Sequence, residues 1–243
     1  MQARGLQVVR TVLVVDDGPT LARLVRVALE PAGFRVVGAR PGAEAVDALL
    51  RARPALVILD MEQSEGDGVA VCQSLRELAD VPVIFLSPVA DDQSKVRGLR
   101  CADDYVTQPF SLAELQARVE AVLRRAKPCL AADRPAYDDG LLSVDFANRR
   151  VRFAGADVPL TPTEYQLLAN LVRNRGRVLL HDELLARVWG ETYRGDRHLL
   201  RLHVANLRRK IEPDPARPRY VRNQRGLGYI FDPQARPSGV NGG

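Results

Sequence analysis

Through the first half of the chain, short apolar runs alternate with helical stripes. Residues 12–15, 34–37, 56–59, 83–86 and 105–106 are near-continuous hydrophobic stretches that read as strands. Between them, residues 21–29, 43–50, 69–78, 93–99 and 112–123 carry the spacing of amphipathic helices. Apolar strands separated by helices predict a parallel, doubly wound α/β sheet, because strands covered by helices on both faces need no polar alternation. Three of the strands run directly into polar side chains: Asp16 and Asp17, Asp60, and Ser87. In sheets of this kind, loops leaving the carboxyl ends of the strands build the binding crevice.

The pattern changes after residue 125. Residues 126–137 hold Pro128 and Pro135 and show no period, which predicts a linker. Residues 141–146, 150–153 and 158–160 read as short strands. Thr161-Pro162-Thr163-Glu164 predicts a helix start, with a hydroxyl cap, proline in the first turn and an acid near the positive helix end. That helix runs to about Arg173. A second opens at His181-Asp182-Glu183 and stops at Gly190, and a third covers residues 197–211 before Pro213. Gln224-Arg225-Gly226-Leu227 lies between two apolar runs and predicts a hairpin. Leu200, Val204, Leu207 and Ile211 form one apolar stripe on the third helix, with His203 beside it as a packed core residue. The opposite face is predicted to expose His198, Arg201, Leu202, Ala205, Asn206, Arg208 and Arg209. The expected domains are therefore 1–125, a linker 126–137, a second domain 138–232, and a Pro/Gly/Ser-rich disordered tail 233–243.

Charge sharpens this division. The 243-residue chain has a net charge of +5. Residues 1–125 carry 15 Lys/Arg against 17 Asp/Glu, and residues 126–243 carry 20 against 13. The segment 197–225 alone has nine basic and two acidic residues, the footprint of a polyanion binder. Nearly every cation is Arg, which suits forked contacts to phosphate and guanine. No apolar run is long enough to span a bilayer, and residues 1–10 lack an apolar signal core. The three cysteines, Cys72, Cys101 and Cys129, share no metal-ligand spacing and read as reduced thiols. Together these features predict a cytoplasmic chain with no membrane partner.

Leu13-Val14-Val15-Asp16-Asp17, Leu56-Val57-Ile58-Leu59-Asp60, Asp67-Gly68, Phe85-Leu86-Ser87 and Asp103-Asp104-Tyr105-Val106-Thr107-Gln108-Pro109-Phe110 follow in order at strand ends. The first half so resembles a receiver domain of the OmpR/PhoB type. The second half resembles the winged helix-turn-helix domain of the same family, through Leu160-Thr161-Pro162-Thr163-Glu164-Tyr165, Val188-Trp189-Gly190, Leu207-Arg208-Arg209-Lys210-Ile211 and Arg225-Gly226-Leu227-Gly228-Tyr229. The resemblance implies a flavodoxin-like five-stranded receiver followed by an α+β winged helix. It also implies a two-component transcription regulator partnered by double-stranded DNA, a sensor histidine kinase and, through the loop 191–196, RNA polymerase.

By that resemblance Asp60 is the phosphoacceptor. Asp17 and Asp60 bind Mg²⁺, Asp16 acts mainly through water, and Glu62 lends its backbone carbonyl, in keeping with the oxygen ligands Mg²⁺ takes. Ser87 and Tyr105 form the switch, and the Gln108–Pro109 bond is cis. Homodimers form with Lys95 opposite Glu114 and Asp104 opposite Arg118. Leu202 and Asn206 face bases, where Asn suits adenine. Arg201 adds charge, Arg208 and Arg209 contact phosphates, and Arg225 enters the minor groove.

Three departures set this chain apart from the family pattern. Gln108 stands where the family has a lysine, so a neutral donor replaces a cation aimed at the phosphoryl group. Pro88 follows Ser87 and has no N–H to offer that group. The stretch Gly98-Leu99-Arg100-Cys101-Ala102-Asp103 is one residue short. A weakened phospho-switch is expected, and a regulator controlled by concentration, ligand or partner without phosphorylation stays open beside it. An aspartyl-nucleophile phosphatase is the enzyme alternative to a protein that is otherwise not an enzyme.

Overall fold

The computed structural model describes residues 9–63, 66–87, 98, 101–126 and 137–233, with backbone alone at 62, 63 and 66. The chain divides into two compact units, Met1–Arg124 and Arg125–Gly243. The expected helix 93–99 falls outside the described residues except for Gly98, as do Pro88, Lys95, residues 127–136 of the linker and residues 234–243 of the tail.

The first unit is built on β1 (Thr11–Val15), β2 (Arg35–Ala39), β3 (Leu56–Asp60), the two-residue strands β4 (Glu62–Gln63) and β5 (Gly66–Asp67), β6 (Val83–Ser87) and β7 (Asp104–Thr107). Its helices are α1 (Pro19–Leu29), α2 (Ala43–Ala52), α3 (Gly68–Leu78) and α4 (Leu112–Ala126). The five long strands are all parallel, in the order β2-β1-β3-β6-β7, which is the predicted doubly wound sheet. Both faces are buried, as the unbroken apolar runs require. Val12, Val14, Ile58, Ile84 and Leu86 pack with Val25, Leu29, Leu115 and Val119 on one side. Leu13, Val57, Leu59 and Phe85, pointing the other way, are just as inaccessible.

The second unit begins with an antiparallel sheet of β8 (Tyr137–Asp138), β9 (Leu142–Asp145), β10 (Arg150–Phe153) and β11 (Ala156–Asp157), in the order β11-β10-β9-β8. Three helices follow: α5 (Pro162–Arg173), α6 (His181–Val188) and α7 (Arg197–Ile211). Then comes the hairpin β13 (Val221–Gln224) and β14 (Gly228–Phe231), to which β12 (Val178–Leu180) adds a third strand beside β14. The start of α5 is a full capping box: Glu164 N–H donates to Thr161 Oγ1 (3.3 Å), and Thr161 N–H donates to the Glu164 carboxylate (2.9 Å). Asp196 caps α7 by accepting from Leu199 N–H (3.1 Å). At the hairpin tip, Leu227 N–H reaches Gln224 O (2.9 Å), and Gly226 takes a φ of +78° that other residues avoid.

The structure departs from the sequence reading at several edges. The strand expected at 158–160 is instead β11, because Ala154 and Gly155 (φ +49° and +83°) turn the chain back at once onto β10. β12 was not foreseen; three residues between two helices carry too little pattern to stand out. Ala126 is still helical and Tyr137 already pairs with Val144, so elements claim both ends of the expected linker. His203 is 1% exposed and packs 5.1 Å from the Trp189 ring, the core position expected of it. The Gln108–Pro109 bond is cis.

Candidate functional site

Parallel register decides what shares the carboxyl edge of the first sheet. Val15 lies beside Leu59, Asp60 beside Leu86, and Ser87 beside Thr107. Asp16 and Asp17 therefore leave β1 on the edge where Asp60 ends β3 and Ser87 ends β6. The three acids are half-buried and Ser87 is fully buried. Asp16 is fixed through its backbone N–H to Ala39 O (3.1 Å) and through its carboxylate, which accepts from Leu21 N–H (3.3 Å). Asp67 caps α3 by accepting from Val69 N–H (3.1 Å). Gly68 lets that helix start against the end of β3, since a Cβ there would sit 2.7 Å from Asp60 O. Glu62 lies in β4, its backbone paired with Asp67. Gln108 N–H donates to Ser87 O (2.8 Å), which fixes it at the same edge.

The carboxylates offer the hard oxygens that Mg²⁺ prefers. Among the described residues, however, no group of three His, Cys, Asp or Glu side chains is assembled to hold a metal. A cleft of about 340 Å³ beside the acid pair is lined by Asp16, Asp17, Arg26, Arg40 and Glu44 and does not reach Asp60.

The dimer contacts expected between chains look different within one chain. Asp104 is 1% exposed, and Arg118 donates to it (3.4 Å) and to Glu114 (3.0 Å) inside the same receiver. Within the chain, the start of β7 and the facing side of α4 bring Asp104 and Arg118 within reach of each other. Tyr105 is 7% exposed, its ring close enough to Gly98 that a Cβ there would stand 3.3 Å from the ring edge.

In the second unit α7 buries Leu199, Leu200, His203, Val204, Leu207 and Ile211. Arg197, Arg201, Ala205 and Arg209 are exposed, and His198, Leu202 and Arg208 are half-buried. Asn206 is a correction to the expected exposed face. It is 6% exposed, and its Oδ1 accepts from Arg209, because position 206 turns toward the packed side of the helix. Arg208 is also held in place: Nε donates to Val221 O (2.9 Å), the guanidinium lies over Tyr229 (5.7 Å), and burial lowers its pKa. Arg225 is exposed at the hairpin tip.

Two positioning features had no signal in the sequence. Lys210 donates to Glu164 (2.7 Å) and to Pro159 O (2.9 Å), tying the end of α7 to the cap of α5. Glu212, just past α7 and 5% exposed, accepts N–H bonds from Arg219 (2.7 Å), Tyr220 (3.0 Å) and Val221 (2.8 Å). It fixes where the hairpin starts relative to the helix. Burial raises its carboxyl above the usual range, against these donors.

Residues 12–120 match the family described as response regulator receiver domain, and residues 155–231 match transcriptional regulatory protein, C terminal. The transcriptional regulatory protein KdpE of Mycobacterium tuberculosis is 40% identical over 222 residues, 91% of this chain and 98% of that protein. The KDP operon transcriptional regulatory protein KdpE of Escherichia coli is 39% identical over 221 residues, 90% of this chain and 98% of that protein. The DNA-binding response regulator MtrA of Mycolicibacterium smegmatis is 39% identical over 225 residues, 91% and 96% of the two chains. A RitR mutant structure superimposes with a TM-score of 0.74 at 23% identity, over 91% of this chain and 98% of that one, a likeness of fold. With both families matched in order, and relatives of this identity aligned along nine-tenths of its length, the chain belongs to the OmpR/PhoB-type response regulators, a family of transcriptional regulators rather than enzymes.

Proposed function

We propose that this chain is a sequence-specific, DNA-binding transcription regulator of a two-component system, acting in the cytoplasm as a receiver-paired homodimer. The observation that carries the reading is the face of α7: Arg197, Arg201 and Arg209 exposed around Ala205, with Arg225 exposed on the hairpin and an apolar stripe behind. A short helix with a basic outer face suits a major groove, and an arginine on the adjoining hairpin suits the minor groove. Leu202 and Ala205 are the positions nearest the bases. His198, Arg201 and Arg209 bind backbone. Arg208 supports the hairpin as well as the phosphates, and Asn206 acts mainly by orienting Arg209.

In the receiver, Asp60 takes the phosphoryl group from a sensor histidine kinase. Asp17 and Asp60, with Asp16 through water and the Glu62 carbonyl, would hold Mg²⁺, whose role is to offset the charge of the incoming phosphoryl group. Ser87 and Tyr105 relay the change, and Gln108 and Pro88 weaken it by supplying neither a cation nor a backbone N–H. Lys95 with Glu114, and Arg118 with Asp104, set dimer register, and RNA polymerase is the transcriptional partner. No helix among the described residues is long and apolar enough to cross a membrane. Gln108 and Pro88 also favour a second reading, in which DNA binding is set by concentration, ligand or partner. Selection of duplexes from a random pool, with and without acetyl phosphate and Mg²⁺, tests both. Enrichment of one motif supports the regulator. Enrichment that does not depend on acetyl phosphate selects the second reading, and no enrichment refutes both.

A further inference from the structure

We propose that Cys72 and Cys101 form a reversible disulfide, an oxidation site within the receiver unit that is distinct from its acidic edge. The two residues are 29 positions apart in sequence, yet Cys72 Sγ donates to Cys101 O (3.5 Å), and each thiol perturbs the other's ionisation. Cys101 Sγ also donates to Gly98 O (3.5 Å). Arg76, one turn after Cys72 on α3, donates to Cys101 O (3.1 Å) and to the buried Asp103 (2.5 Å), so a cation is fixed beside the sulfur pair.

A cation beside two neighbouring sulfurs favours a thiolate, and the second thiol stands ready to resolve an oxidised first one. The Cys101 thiol, with help from the Arg76 guanidinium, holds Cys72 below the usual thiol range despite burial and the opposing charge of Asp103. The hydrogen bond to Cys72 and burial push Cys101 upward, with Asp67 adding to the rise and Arg76 opposing it. Cys72 is fully buried and Cys101 is 9% exposed, so the oxidant has to be small. Hydrogen peroxide meets that requirement. The Cys72 thiolate attacks a peroxide oxygen, forming an S–O bond as the O–O bond breaks, and the departing hydroxide takes a proton and leaves as water. Cys101 sulfur then attacks Cys72 sulfur, the S–S bond forms, and the hydroxyl leaves with the Cys101 proton as a second water. Two thiols are oxidised and one peroxide is reduced.

The bond would pin α3 to the turn that leads into β7. That turn packs tightly at Gly98, where a Cβ would stand 3.1 Å from Phe85 and 3.3 Å from Tyr105. Oxidation so constrains the ground on which Tyr105 rests, and closing a loop between two elements raises resistance to denaturant.

The test uses the full chain carrying Cys129→Ser, so that the third cysteine is silent. The reduced protein is exposed to hydrogen peroxide, the peroxide is removed, and the chain is unfolded in denaturant, alkylated and mapped by mass spectrometry. The expected result is one linked peptide joining Cys72 to Cys101, no alkylation at either, full reversal by dithiothreitol, and a higher urea midpoint for the receiver than in the reduced sample. In the Cys101→Ser chain, Cys72 is expected to be trapped as a dimedone adduct. Two results overturn the proposal: separate overoxidation of both sulfurs without a linked peptide, or both thiols recovered reduced at peroxide doses that oxidise Cys129 in the unsubstituted chain. The first readout needs no substitution in the pair, so it holds even if the serine variant unfolds.

Discussion

Replacing Glu212 by Ala removes the acceptor that sets the hairpin against α7. Three N–H groups lose their partner: Arg219, on an exposed residue, can turn to water, whereas Tyr220 and Val221 are fully buried. Each orphaned buried donor costs about 1–3 kcal/mol. Relief from burying a carboxylate offsets part of this, which leaves about 2–4 kcal/mol of destabilisation. With a urea dependence of about 1–3 kcal/mol per molar, the midpoint should fall by roughly 1–2 M. The chain contains a single tryptophan, Trp189, fully buried in the second unit, so its fluorescence follows this unit separately from the receiver. Glu212→Gln keeps one acceptor oxygen and should lose about half as much. pH gives a second arm. Burial raises the folded carboxyl above its unfolded value, so the folded state binds the proton more tightly. This contribution is fully present below the ordinary glutamate range and is lost as pH rises through the raised pKa; Glu212→Gln should flatten that slope. A Trp189 midpoint unchanged in Glu212→Ala would refute the assigned role.

Other outcomes follow from the same geometry. In Gly228→Ala the new Cβ would stand 1.9 Å from Leu179 O, so the β12–β14 contact must open, costing at least about 3 kcal/mol on the Trp189 transition. Asp103→Ala removes the buried acceptor of Arg76 (2.5 Å) and of Val83 N–H (3.0 Å), while Arg76 keeps Asp80, and should destabilise the receiver by about 1–3 kcal/mol in a circular-dichroism melt while the Trp189 transition stays put. Gln108→Lys restores a cation at the acidic edge and should raise both the rate and the extent of acetyl phosphate labelling of Asp60 on a Phos-tag gel; equal labelling of both proteins would show that Gln108 does not limit it.

The receiver sheet was legible because its signal is local: apolar runs of strand length, three of them ending on the acid or hydroxyl that the parallel register then aligns. The α5 cap was legible for the same reason, since Thr161, Pro162 and Glu164 are neighbours. Asn206 was misplaced because helical spacing puts it at the border of the apolar stripe, and only packing shows that Arg209 holds it against the body of the helix. Cys72, Arg76, Cys101 and Asp103 carry no shared spacing, and the fold alone brings them together. Glu212 carries no local signal, because nothing in a single sequence marks three backbone donors converging on it.

The basic surface of α7 can be tested directly by measuring affinity for a selected duplex as a function of salt, for the wild-type chain and for Arg201→Ala combined with Arg209→Ala. Each lost phosphate contact should reduce the slope of log affinity against log salt by about one unit. The expected result is a slope shallower by roughly two units with the folded structure intact. An unchanged slope and affinity would mean that this surface does not meet nucleic acid.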